Sequence, residues 1–491
     1  MDYTTIILLA IPLLSIPLLY LLPRAFAKHV ALTSSLASAA FLLYVFYELF
    51  TICNCKTFQF TFNEVWVKSL GINFHLSMDG ISMLMLLLTN LAVPLIILSS
   101  YNSPQGNTRG LFGLILLMQA SLLGVFMAAD SFLFYLFYEL ALVPVFFIIL
   151  NWGGENKGRI NLKFFIYTLA GSLLMLVAII FLYLQTGDSA TFNIRSFYTL
   201  SLTANQQGLV FWGFMLAFAV KIPLFPFHTW QPATYTVAPT QGTMLLSGLM
   251  LKMALYGIFR FVIPITPLAV EQWGSTIMVL AVIGVVYGAW IAIAQNNIKT
   301  LFAYSSLSHV GLIAAGMFTL TTQGLQGGLF QMVAHGFNAV GLFMVADILG
   351  RRLGTYELNK MGGIARQAPK FAILFFIILL GAVALPLTNG FVGEFLLLLG
   401  IFSYSKVMAG IAGLTIILGA VYMLNTYQKS MFGEANETTA NFKDLTVTEM
   451  LVLVPIAAII LGAGIFPELF MKLTELPVET MLTKLSAGAV K

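Results

Sequence analysis

Fourteen runs of mostly apolar residues follow one another along this chain, each close to the roughly twenty residues that an α-helix needs to cross a bilayer. They fall near 4–22, 30–52, 79–99, 110–128, 131–150, 163–185, 207–227, 239–263, 273–294, 298–318, 324–349, 371–402, 406–430 and 449–469. No polar stretch between them can hold a soluble domain; the longest are 53–78, 186–206, 351–370 and 431–448. Only 9% of the 491 residues are charged, against about a quarter in a soluble domain. A water-soluble fold of this composition could not cover its own surface, which excludes a cytosolic enzyme, a nucleic-acid binder and a disordered scaffold. The surplus apolar surface faces lipid. The expected fold class is an all-α polytopic membrane protein, because a helix satisfies its own backbone polar groups where water is absent.

Loop charge gives an expected orientation. Fourteen Lys and Arg residues lie in the loops after odd-numbered runs, and eight lie on the other side. The excess places the odd loops in the cytoplasm and both termini outside it, in a bacterial inner membrane. Cys53 and Cys55 flank one asparagine beside Lys56. Two cysteines alone are too few for a metal site, and their spacing suits a disulfide poorly, so they read as plain residues at a helix end.

Two runs carry proline at mid-depth: Lys221-Ile222-Pro223-Leu224-Phe225-Pro226 and Ala384-Leu385-Pro386-Leu387-Thr388-Asn389. Proline removes a helix hydrogen bond and clashes with the preceding turn, so both runs are expected to be broken helices. Val220 and Pro223 match Val383 and Pro386 at an offset of 163; Phe165 and Gly171 match Phe330 and Gly336 at 165; Tyr138 matches Tyr304 at 166. Near-equal offsets suggest a duplicated five-helix unit, inverted because five is odd. The expected division is 1–109 for helices 1 to 3, 110–265 for the first repeat, 266–432 for the second, and 433–491 for helix 14.

Charge at the centre of a bilayer costs about 2.5–3.5 kcal/mol or more, and intramembrane ionisable groups usually serve transport. The deepest here are Glu139, Lys221, Lys252, His309, His335 and Glu394. Taken singly, each has a structural explanation: an ion pair, a snorkelling lysine, a hydrogen-bonded histidine, a helix-end carboxylate. As a set of acid, two lysines, two histidines and acid they read as a proton relay. An ion pair at 4 Å is worth about 4 kcal/mol at an effective dielectric of 20, enough to decide whether a lysine keeps its proton when its partner moves. Glu48, Asp79, Asp130 and Arg260 lie near run ends and read as interfacial anchors, and Asp347 reads as a local partner of Arg351. The sequence contains no phosphate-binding glycine loop and no cysteine cluster for iron–sulfur. No cofactor is expected, and driving energy must come from partner proteins.

At these residues the sequence resembles the antiporter-like proton channels of respiratory complex I. The resemblance lies in Phe137-Tyr138-Glu139-Leu140, in Lys221 through Trp230, in Ala238-Pro239-Thr240 with Leu251-Lys252-Met253, in Ile298 through His309, and in Gly390-Phe391-Val392-Gly393-Glu394-Phe395. It runs from about residue 80 to 430. Length and the acid at Glu394 look most like the subunit M, or chain-4, group. The resemblance implies fourteen helices, two inverted repeats, and neighbouring membrane-arm subunits on both sides, including antiporter-like sisters. It further implies that Glu139 and Lys221 are a coupled pair, Lys252 is the central relay, His309 and His335 connect it onward, and Glu394 is the terminal group. Trp230-Gln231-Pro232-Ala233-Thr234 departs from the family's frequent Trp-Leu-Pro-Asp-Ala, so no role of that acid carries over. The alternative readings are a subunit of a multisubunit cation/proton antiporter, a hydrogenase-type membrane subunit, and a non-pumping spacer.

Overall fold

The computed structural model describes residues 2–51, 59–101, 108–187 and 190–488; Cys53 and Cys55 lie outside them. Helices α1 (Thr4–Leu21) and α2 (Ala27–Thr51) lead into a hairpin of β1 (Gln59–Val67) and β2 (Ile72–Met78). There follow α3 (Gly80–Ser99), α4 (Thr108–Met127), α5 (Ser131–Trp152), α6 (Lys157–Gln185), α7a (Ala204–Lys221), α7b (Gln231–Val237) and α8 (Thr240–Ile265). The second half holds α9 (Pro267–Ile293), α10 (Ile298–Met317), α11 (Thr322–Leu353), α12a (Pro369–Ala382), α12b (Asn389–Tyr404), α13 (Lys406–Met431), α14 (Val447–Ile465) and α15 (Glu468–Gly488). Twelve of these helices are long and apolar enough to cross a membrane. The two interrupted helices, α7a/α7b and α12a/α12b, occupy the remaining two apolar runs. The chain is therefore the all-α membrane protein that its composition requires.

Helices α8 and α11 are wholly enclosed, whereas α1, α6, α13 and α14 turn much of their surface outward. The central pair meets at two glycines. A Cβ on Gly248 would sit 2.7 Å from Val340 Cγ2, and one on Gly336 would sit 3.0 Å from the Gly248 carbonyl. Small residues at a crossing let helix backbones approach closely, and this crossing lies four residues before Lys252 and one after His335. Helix α8 also contains two π-helical stretches, Leu245–Met250 and Ile258–Val262, on either side of Lys252.

Each half carries the same local device. In the first, Ser131 N–H donates to the Phe192 carbonyl at 2.8 Å and Ile194 N–H to that of Ala129 at 3.1 Å. In the second, Ile298 N–H donates to Tyr356 at 3.0 Å and Leu358 N–H to Asn296 at 2.8 Å. Asp130 caps α5 and Asn297 caps α10, each with its side-chain oxygen on the first free N–H groups. Thr191 and Thr355 each accept from the residue two positions on, at 3.2 Å. The start of the second helix of each half is thus stitched to the segment after the third.

Two elements depart from the sequence reading. Residues 59–78 were expected to be only a polar stretch, but β-branched and aromatic residues pair there in an antiparallel hairpin. Its turn needs Gly71, which has φ 65° and whose Cβ would fall 2.1 Å from the Ala190 carbonyl. Burial, with help from the Arg195 charge, pushes His75 in β2 down to about 4, so this histidine stays neutral. The second departure is α15. Its charged face hid it from an apolar-run search, and only helix 14 was expected in 433–491. It lies across α3 and α11 so tightly that a Cβ on Gly80 would meet the Leu473 carbonyl at 1.6 Å.

Several charges expected at interfaces are buried. Asp79 and Arg260 form an enclosed ion pair. Asp130 accepts from Phe132 N, Leu133 N and Asn73 N, and its burial raises the carboxyl to about 6. Lys299, at the start of α10, turns inward and donates to the Thr236 and Ala238 carbonyls at 3.0 and 2.8 Å. Asp347 does pair with Arg351, at 2.6 Å, and also accepts from Thr240.

Candidate functional site

Four of the six intramembrane residues come together in one buried line. Lys252 is fully enclosed on α8. Its Nζ donates to the Ser247 carbonyl at 2.7 Å and lies 2.8 Å from His335 Nδ1 on α11. The bond to Ser247 spans five residues, and the π-helical stretch there widens the turn it reaches back across. The imidazole of His335 faces that of His309 on α10, with ring centroids 6.1 Å apart. His309 Nδ1 lies 2.8 Å from Glu394 Oε1 on α12b, and the Gln331 amide donates to the same oxygen at 3.3 Å. All four ionisable side chains are at least nine-tenths buried.

A cavity lies beside the gap between the two histidines. Ser305, Ser306, His309, Gln331, His335 and Asn338 supply its polar lining. Phe302, Ala339, Leu342 and Phe343 line much of the rest of it. Water centres can occupy about 20 Å³ of it, a little above the roughly 10–15 Å³ that one water needs by that measure. His309 Nε2, Gln331 Oε1 and Asn338 Oδ1 are buried with no protein partner. The arrangement therefore offers hydrogen-bonding atoms on both sides of the one step too long for a direct bond.

Glu139 and Lys221 form a separate group. Lys221, the last residue of α7a, is 2% exposed, and its Nζ lies 5.0 Å from the centroid of the Tyr138 ring. Glu139, the residue after Tyr138, is partly exposed, and among the described residues no ion pair joins it to Lys221. Among the described residues no hydrogen bond joins this pair to Lys252. Phe218 of α7a packs with its ring 6.2 Å from that of Tyr138 and against Gly257 of α8.

Sequence reasoning missed Gln331, which shares Glu394 with His309. It stands four residues before His335, one turn away on the same helix face, and that spacing was the available signal. It also missed the serines. Ser306 Oγ lies 3.2 Å from Ser247 Oγ, and Tyr422 donates to Ser305 at 3.1 Å.

The comparisons with known proteins fit this geometry. Residues 128–419 match the family model described as NADH:quinone oxidoreductase/Mrp antiporter, TM. The chain is 38% identical to NADH-quinone oxidoreductase subunit M of Rickettsia typhi, over 94% of this chain and 92% of that one. It superposes on a chain of respiratory complex I from Thermus thermophilus with bound NADH, with a TM-score of 0.90, 34% identity, and coverage of 98% and 99%. A chain of the Mrp complex from a Dietzia species shares the fold at TM-score 0.85 and 20% identity, covering 99% of this chain and 97% of its own. With more than half of its length matched by the family model, and a relative of this identity matched almost end to end, the chain belongs to the antiporter-like membrane subunits of NADH–quinone oxidoreductase, in the subunit M group.

Proposed function

We propose that this chain is a proton-translocating membrane-arm subunit of NADH–quinone oxidoreductase, driven by redox chemistry in other subunits. The observation that carries it is the buried line Lys252–His335–His309–Glu394, drawn from four helices and running across the core rather than along one of them. Such groups are costly in a bilayer, and a spacer would need none of them. A proton on Lys252 passes to His335, crosses the cavity to His309, and reaches Glu394. Glu139 acts on Lys221 at the other end and sets whether that lysine holds its charge. The matching strand bridges and helix caps of the two halves support inverted repeats at 110–265 and 266–432. The partners are the other membrane-arm subunits, sister subunits included.

The direct test is the purified complex in liposomes. NADH oxidation by quinone should acidify the lumen, and removing this chain or inactivating its relay should lower the protons moved per electron pair. Parental stoichiometry with the relay disabled would refute the reading. Co-purification with flavin and iron–sulfur subunits supports it, whereas small hydrophobic antiporter subunits would support the multisubunit antiporter instead.

Glu139→Gln keeps shape and loses charge, so Lys221 loses its electrostatic partner. Pumping is expected to fall about threefold, or roughly 0.7 kcal/mol of barrier, with assembly intact. Glu139→Asp should recover part of it. Near-normal pumping by an assembled Gln variant would remove Glu139 from the mechanism.

The excess of basic residues in odd loops supports termini outside the cytoplasm. A periplasmic reporter fused after Lys491 is expected to be active and a cytoplasmic one silent; the reverse result would invert the assignment.

A further inference from the structure

A second buried ionisable group shares a helix with Lys252 and takes no part in the line described above. Lys252, Tyr256 and Arg260 recur at four-residue steps on α8, stacked on one side over about 12 Å of axis. Arg260 pairs with Asp79 at the start of α3, beside the hairpin, and both are buried. The guanidinium also donates to Ser82 Oγ at 3.1 Å and lies 4.9 Å over the Tyr256 ring. Ser82 Oγ is 3.0 Å from the Tyr256 hydroxyl, which donates to the Phe126 carbonyl at 2.9 Å. Asp79 is held further by Ser82 N–H at 2.9 Å, and α15 covers this end of α3.

The cluster has the wrong chemistry for a relay. Arginine does not give up its proton in proteins, so a proton moving along this face meets a fixed positive charge. The donor order runs from Arg260 to Ser82 to Tyr256 and ends on a main-chain carbonyl, which has no proton to pass on. Fixed arginines exclude protons from water-conducting pores on the same principle. Asp79 offsets the charge and makes the burial of Arg260 tolerable. Lys252, for its part, directs both of its bonds away, to Ser247 and His335. We propose that the Asp79–Arg260 pair is an electrostatic plug: it closes the hairpin end of α8 to protons, so that a proton on Lys252 leaves through His335 and does not leak along its own helix. This inference rests on the relay reading of Lys252.

The test is passive. Liposomes holding the assembled complex are given a pH gradient with no substrate present, and its decay is followed with a pH-sensitive dye. Arg260→Gln is expected to speed the decay at least about threefold, because the fixed charge is gone. Decay at the parental rate in assembled Arg260→Gln would overturn the plug. Should that variant fail to assemble, Arg260→Lys decides alone. It keeps the charge on a group that can release its proton, and a decay about twofold faster supports the plug, while the parental rate refutes it. The leak is read without turnover, so its outcome is independent of whether the relay variants pump.

Discussion

Replacing Lys252 with methionine is expected to lower redox-driven proton pumping at least about tenfold, roughly 1.4 kcal/mol of barrier or more, in a complex that still assembles. Lys252 is fully buried at the crossing of the two enclosed helices, and among the described residues its hydrogen bonds run to Ser247 O and His335 Nδ1. Methionine fills similar space, favours helix, and suits an apolar surround. What disappears is the ammonium that lies against His335 Nδ1. The decisive comparison is Lys252→Arg, which retains positive charge and hydrogen-bonding reach but does not release its proton. If Lys252 serves only to place charge at the core, the arginine variant pumps. If it exchanges protons, arginine fails as methionine does. Gradient formation measured by dye quenching, normalised to NADH oxidation and to complex content on a native gel, separates the two. Pumping at the parental level in an assembled Lys252→Arg variant would refute the relay role.

The same comparison shows what could be read from the sequence. Lys252 stood out because a lysine in the middle of an apolar run has no cheap explanation in a bilayer. Its partner was also visible, as His335 in another run, but the contact itself was not, because it depends on Gly248 and Gly336 letting two backbones close up. Glycine in an apolar run looks like filler until the crossing is known. The breaks at Pro223 and Pro386 were legible from backbone chemistry alone. Asp79 and Arg260 were misread for the opposite reason. A charge near a run end looks like an interfacial anchor, and a separation of 181 positions along the chain hides the pairing. The hairpin and α15 escaped because the search looked for apolar runs, and both elements put polar side chains on one face. Glu139 and Lys221 were read as a pair; in the structure it is the neighbouring Tyr138 ring that lies against the Lys221 ammonium. That no hydrogen bond among the described residues links them to Lys252 is a matter of packing that no spacing rule reveals.

Glu394 stands at the far end of the line, where three substitutions should give three different results. Its Oε1 receives both His309 and the Gln331 amide, and a carboxylate there can take a proton and release it. Glu394→Ala removes that capacity and strands two buried polar groups, at about 1–3 kcal/mol each. Pumping is expected to fall about fivefold, near 1 kcal/mol of barrier, together with some loss of thermal stability. Glu394→Gln restores a hydrogen-bonding partner to both neighbours without restoring proton exchange, so stability should recover while pumping stays low. Glu394→Lys puts back a group that can exchange protons, and the Gln331 amide can turn its unpartnered Oε1 toward the ammonium. Roughly half of the parental pumping is expected to survive, because the break before Asn389 lies about 9 Å back along the helix and water admitted there can bridge an imperfect fit. The separation of stability from pumping in the glutamine variant is the critical measurement. If glutamine pumps like the parent, Glu394 only organises His309, and the proton leaves this chain from His309 by another route.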